Sequence, residues 1–197
     1  MAVRFPIPIW AVKTKKLNAW RDAAADSPVP LVALARTHIH WAWEARGSGF
    51  AFTVSEDGWE QFHQRIDQAH RLLEESLEKG VMDAEVYARL IDVAKAKGLP
   101  SETARGWAED GRKVDPTYYP LYQAMTEYLL PRWQGEPGDI ERFAADLAEA
   151  MPGDDGLVAF GWVAFFAQNY GDHLIEGQFD RDLLGKSAVA LAERFDD

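Results

Sequence analysis

One feature limits the folds open to this chain more than any other. An apolar period of 3.6 residues returns along its whole length and is cut at short intervals by Pro, Gly or an acidic residue. The period predicts helices over 13–25, 29–46, 56–79, 83–97, 101–114, 117–133, 139–150, 154–170 and 180–195. Nothing reads as a run of alternating strands. The joints are "SPVP", "KGVMD", "KGLPS", "VDPT", "QGEPGD" and "MPGDD", and joints this short place consecutive helices as antiparallel neighbours. The expected class is all-α. Residues 1–12 read as an extended N-terminal arm and 13–197 as one helical-repeat domain, with an insertion loop at 47–55 and a C-terminal capping helix at 180–195.

Two joints carry specific chemistry. In "KGLPSETA", Gly98 suits the left-handed end of a helix, Pro100 blocks continuation, and Ser101 is expected to cap the next helix. In "KVDPTYYP", Pro116 falls outside the helix and Pro120 in its opening turn. The stretch "YLLPRWQGEPGD" reads as a corner: Pro131 ends or distorts the last turn, Gly135 and Gly138 supply unusual dihedrals, and Asp139 caps the following helix. Trp133 continues the stripe Tyr118, Tyr122, Met125, Leu129 and is expected to be a packing anchor, with Arg132 off that stripe.

The helices differ in how much of their circumference is apolar. Helix 117–133 is apolar on two sides, as an inner member of a stack would be. Helix 154–170, with Phe160, Trp162, Val163, Phe165 and Phe166, is apolar nearly all round and is expected to be the most buried. Helix 56–79 has one stripe (Trp59, Phe62, Ile66, Ala69, Leu73), and the last helix has Leu184, Ala188, Leu191 and Phe195 on one face. In the insertion, Phe50, Phe52 and Val54 alternate, and the loop is expected to fold back so that Phe50 or Phe52 covers Trp43.

Apolar pairs open alternate helices at similar spacing. Tyr87 and Tyr122 lie 35 residues apart, and Tyr122 and Phe160 lie 38 apart, close to the period of two-helix solenoid repeats. The joint "AEDGRKVDPTYYPLYQAM" resembles the tetratricopeptide repeat: Ala104, Gly111 and Pro116 match the small, small and proline positions of that family's second helix and turn. The first helices depart from it, since Asp92 and Lys95 stand where the family prefers a small residue and an aromatic. The resemblance covers about 29–170 and implies a short right-handed solenoid of helix pairs with one groove. The phrases "AWEARGSGFAFTVSEDGW" and "YYPLYQAMTEYLLPRWQGEPGD" also resemble bacterial repeat proteins of no assigned activity.

Composition narrows the function. A formal charge of -11 and a pI near 4.9 argue against nucleic acid, which needs a concentrated basic surface. They fit plain solubility, or a basic partner drawn in by the field. With no cysteine, thiolate metal sites and cysteine nucleophiles drop out, and a reducing compartment fits. The start "MAVRFPIPIWAVKTKK" does not read as a signal peptide, and "GLVAFGWVAFFA" is too short to span a bilayer, so a cytoplasmic location is expected.

Candidate chemistry is sparse. His63, Asp67, His70 and Glu74 share one flank of a helix, and Glu60 and His63 have Glu-x-x-His spacing. Carboxylate-bridged metal bundles need a second such motif on facing helices, which is missing, so a solvated face is the simpler reading. His38 falls in an apolar stripe, where a histidine is usually a hydrogen-bonded core residue. "RGSG" follows a helix rather than a strand, "PGDDG" lacks the alternating acids of a calcium loop, and no Gly-x-Ser-x-Gly elbow occurs.

The expected function is therefore a non-catalytic module that binds a protein or peptide, a basic one fitting the charge best, with no cofactor and no membrane or nucleic-acid partner. Arg36, His40, Arg89, Asp92, Gln123 and Glu127 would line the groove, with Tyr128 and Arg132 at its mouth. Trp43, Trp59, Tyr122 and Trp133 would be packing anchors. A metal-dependent enzyme using His63, Asp67 and His70, or a purely structural assembly subunit, are the alternatives. The sequence leaves the oligomeric state open.

Overall fold

The computed structural model describes residues 9–170 and 179–195. These residues are all-helical, without strands: α1 (Ile9–Ala23), α2 (Val29–Arg46), α3 (Glu56–Glu78), α4 (Ala84–Lys97), α5 (Ser101–Val114), α6 (Tyr119–Tyr128), α7 (Asp139–Ala150), α8 (Asp155–Asn169) and α9 (Arg181–Phe195), with one 3-10 turn at Ala51–Thr53. Three expectations need correcting. Residues 9–12 of the expected arm are helical, while 1–8, like His173, lie outside the described residues. Helix 117–133 stops at Tyr128, because the chain turns before Pro131. Neither expected side-chain cap forms: Ser101 is already inside α5, and Asp139 inside α7 behind a left-handed Gly138.

The chain divides into two compact units, Met1–Met82 and Asp83–Asp197. In the first, α2 packs on both α1 and α3. The end of α2 meets the start of α3, where the Trp43 and Phe62 rings lie 4.9 Å apart. At the other end, Lys79 Nζ donates to the Ala25 carbonyl at 2.6 Å, so the two helices are antiparallel. Leu31, Leu34, Ala35, Ile39 and Ala42 of α2 close on Phe62, Ile66, Ala69 and Leu73 of α3. Ser55 caps α3 by accepting from the Gly58 amide. The insertion loop does not cover Trp43. Phe50 and Phe52 stack on each other in solvent, 5.6 Å apart, and Arg46 instead lies over both the Trp43 and Trp59 rings.

In the second unit α6 packs on α4 and α8. Tyr118, at the head of α6, bonds Glu85 near the start of α4, and Tyr128 at its other end donates to the Leu99 carbonyl just past α4, at 2.7 Å. Helices α4 and α6 therefore run in the same direction. Helix α5 runs back between them: a Cβ on Gly111, near its end, would meet Leu121 and the Tyr87 Cβ at 2.9 Å. Helix α9 runs against α8, with Arg194 bonded to Asp155 at 2.6 Å. Gly98 takes the left-handed conformation that ends α4, at φ 64°. One core joins this unit, built around Tyr122, Met125, Tyr128, Phe160 and Val163.

Two burial expectations change here. Helix α8 buries Phe160 and Val163 but leaves Phe165 53% exposed, with Trp162 and Phe166 half-buried. Helix α9 sits on α8 through Leu183, Ser187, Ala190 and Leu191; of the face read from sequence, Leu191 meets α8 and Phe195 edges Trp162, while Leu184 and Ala188 are exposed. Gly161 decides this register, since a Cβ there would lie 2.6 Å from Leu191 and 3.3 Å from Ser187. Small residues at that crossing let the backbones approach.

Candidate functional site

Glu85, Arg89, Asp92 and Lys95 recur along one flank of α4 and form a continuous ionic ladder. Arg89 stands 3.4 Å from Glu85 and 2.7 Å from Asp92. Lys95 lies 3.9 Å from Asp92 and reaches across to Glu127 of α6 at 2.9 Å. The Tyr118 hydroxyl donates to Glu85 at the far end. Asp92 and Lys95 are 9% and 6% exposed, which makes this a buried network rather than a surface pair. The two residues that depart from the tetratricopeptide pattern are thus its centre.

Burial sets the electrostatics. Desolvation pushes the Asp92 carboxyl up, against the pull of Arg89 and Lys95. The Tyr118 phenol is raised by burial and by its bond to Glu85. Tyr170 is pushed up to about 12, chiefly by burial and then by the Glu127 charge. Tyr170 also marks the exposed edge of this face: Gln123 donates to its oxygen at 3.5 Å, and the Arg132 guanidinium lies 5.8 Å from its ring centre.

The expected groove residues separate accordingly. Arg89, Asp92 and Glu127 come together in the ladder, and Gln123 and Arg132 stand exposed beside it at Tyr170. Tyr128 is not at a mouth; it is fully buried and its hydroxyl ties α6 to the α4–α5 joint. Arg36 and His40 are exposed on α2, in the first unit. Among the anchors, Tyr122 is buried and donates to the Pro116 carbonyl at 2.6 Å. Trp59 packs on Phe62. Trp133 is half-buried against the core with Lys95 Nζ 5.6 Å from its ring centre. Sequence reading missed Glu85, Tyr118 and Tyr170, and it noted Lys95 only as a misfit. The signal that could have found Glu85 and Lys95 was the 85, 89, 92, 95 spacing of alternating charges; the two tyrosines join only through the packing of other elements.

The corner after α6 is held by backbone and one carboxylate. The Gln134 and Gly135 amides fold back onto the Tyr128 and Leu130 carbonyls. Asp139 accepts from the Glu136 amide at 2.7 Å and from Arg142 at 2.6 Å. Although burial alone would raise its carboxyl, these donors hold it below the usual range.

The histidines do not converge. His63 stacks on Trp59, and His70 lies 3.7 Å from Glu74. Among the described residues no three His, Asp or Glu side chains are placed to hold a metal ion. His38 is half-buried beside Trp41, and its Nδ1 has no hydrogen-bond partner, contrary to the expectation of a bonded core histidine. Burial, with the nearby Arg65 charge, lowers its basicity.

A cleft of ≈ 200 Å³ opens between α5 and α7. Its floor is Ala108, Tyr122, Phe143 and Leu147, and Arg105, Arg112 and Asp146 stand on its rim. Ligand pockets usually enclose about 300–1,000 Å³, so this one has room for a partner's side chain rather than a whole cofactor. No protein-family model, curated protein or solved structure matches the chain. The functional reading therefore rests on this geometry and on charge.

Proposed function

We propose that the protein is a non-catalytic binding module whose second unit stacks helix pairs in the manner of tetratricopeptide repeats and receives a basic protein or peptide. Charge distribution carries this reading. Residues 1–82 hold 10 basic and 10 acidic side chains, whereas 83–197 hold 11 basic and 22 acidic, so the whole -11 belongs to the second unit. A field that concentrated raises the encounter rate of a cationic partner and repels nucleic acid. The shared direction of α4 and α6, with α5 returning between them, is what a paired-helix stack requires. The ladder supports a role other than catalysis, because its cations are engaged by its own carboxylates. It stiffens the face on which Gln123 and Arg132 are displayed.

The test uses fluorescence anisotropy with labelled helical peptides of matched length, one rich in Lys and Arg and one rich in Glu. The basic peptide should bind at low salt and weaken about tenfold or more between 20 and 200 mM NaCl, and Gln123→Lys should weaken it further. Equal binding of both peptides, or affinity indifferent to salt, overturns the proposal.

A further inference from the structure

The outer face of α9 repeats its exposed positions in a palindrome. Arg181, Leu184, Ala188, Ala192 and Phe195 are all exposed, and they are spaced 3, 4, 4 and 3 residues apart, so they form one stripe of the helix. Leu184 is 37% and Phe195 55% exposed, and Val189 on the flank is 58% exposed. Phe195 also touches Trp162, beside the exposed Phe165 of α8, which extends the apolar surface past the end of the helix.

We infer that this face is an interface between two copies of the chain, with α9 crossing its symmetry mate antiparallel about a two-fold axis at Ala188. In an isologous contact, if one residue meets another, the second also meets the first. Antiparallel pairing about Ala188 sets Leu184 over Ala192 of the mate, a large side chain over a small one, and does so twice. It sets Arg181 against the Phe195 ring, where a guanidinium packs well. Arg194 is held on the inner side by Asp155, and Asp182 by Lys186, so the flanking charges are satisfied within each copy. Charge also favours self-contact here, because α9 carries three basic and two acidic residues within a strongly acidic unit. Gly185 is consistent with close approach, since a Cβ there meets nothing within its own chain.

Size sets the strength. A helix of 15 residues is about 22 Å long, and one such pair buries less than the roughly 800 Å² per partner of a standard interface. The dimer is therefore weak, with the net charge of both copies opposing it at low salt. Sedimentation equilibrium across about 1–100 µM at 150 mM NaCl should show the mass rising from 22.2 kDa towards twice that value. Ala188→Glu sets like charges on the axis and should leave a folded monomer, judged by unchanged far-UV circular dichroism. The chain has no cysteine, so Ala188→Cys introduces the one thiol, and oxidation should link two copies through it. Lys186→Cys, well off the stripe, should not link them. A monomer at every concentration, a dimer indifferent to Ala188→Glu, or equal cross-linking from both cysteine variants overturns the inference.

Discussion

At the scale of single residues, Asp92 shows how burial and pairing compete. Its carboxyl is held above the ordinary 3.8, so the folded state keeps that proton more tightly than the unfolded chain does. The stability this group contributes is then fully present below about pH 4 and is lost as pH rises through the raised value. Asp92→Asn cannot titrate. The stability of the parent protein minus that of the variant, from urea denaturation, should fall as the pH climbs from 4 towards neutrality. A difference that grows over that range would mean that Arg89 and Lys95 outweigh desolvation. Lys95 illustrates the same competition from the cationic side: it is tolerated at 6% exposure because Asp92 and Glu127 surround it.

At the scale of elements, two glycines with opposite surroundings separate packing from propensity. Gly106 lies exposed within α5, and a Cβ there meets nothing within 4 Å. Gly106→Ala should therefore stabilise the protein by about 0.5–1 kcal/mol through helix propensity alone. Gly135 is buried at the corner after α6, where a Cβ would fall 1.8 Å from the Leu129 carbonyl oxygen. Gly135→Ala forces that backbone apart and should cost about 3 kcal/mol or more, with the loss visible in thermal unfolding. If both substitutions act alike, the corner is looser than its hydrogen bonds indicate. The corner also explains why α6 ends early: once the Gln134 amide turns back to Tyr128, the chain has left the helix before Pro131 can interrupt it.

For the molecule as a whole, the dominant quantity is the charge gathered in residues 83–197. Self-repulsion of that size destabilises the compact state and is screened within about 10 Å at 0.1 M salt. The midpoint of thermal unfolding should therefore rise as NaCl goes from 10 to 150 mM. A fall would show that attractive pairs, such as Arg194 with Asp155, matter more than the net field. The same field favours cationic partners, and α9, with its balanced charges, is the part of the unit where two copies can approach.

The helices were legible in the sequence because periodicity, Pro and Gly are local signals. Seven of the nine described helices start and stop within a residue of the expected positions, and the exceptions, α1 and α6, have ends that their apolar period alone does not fix. Gly98 as a left-handed stop and Pro120 in an opening turn needed only their neighbours in the chain. Which side of α9 meets α8 did not, because the apolar residues Leu183, Leu184, Ala188 and Ala190 surround it, and only Gly161 on another helix selects the register. The ladder likewise required α6 to lie beside α4, so that Glu127 could answer Lys95. Local chemistry set the elements; the choice of partners across space, made by small residues and buried charges, was left to the tertiary structure.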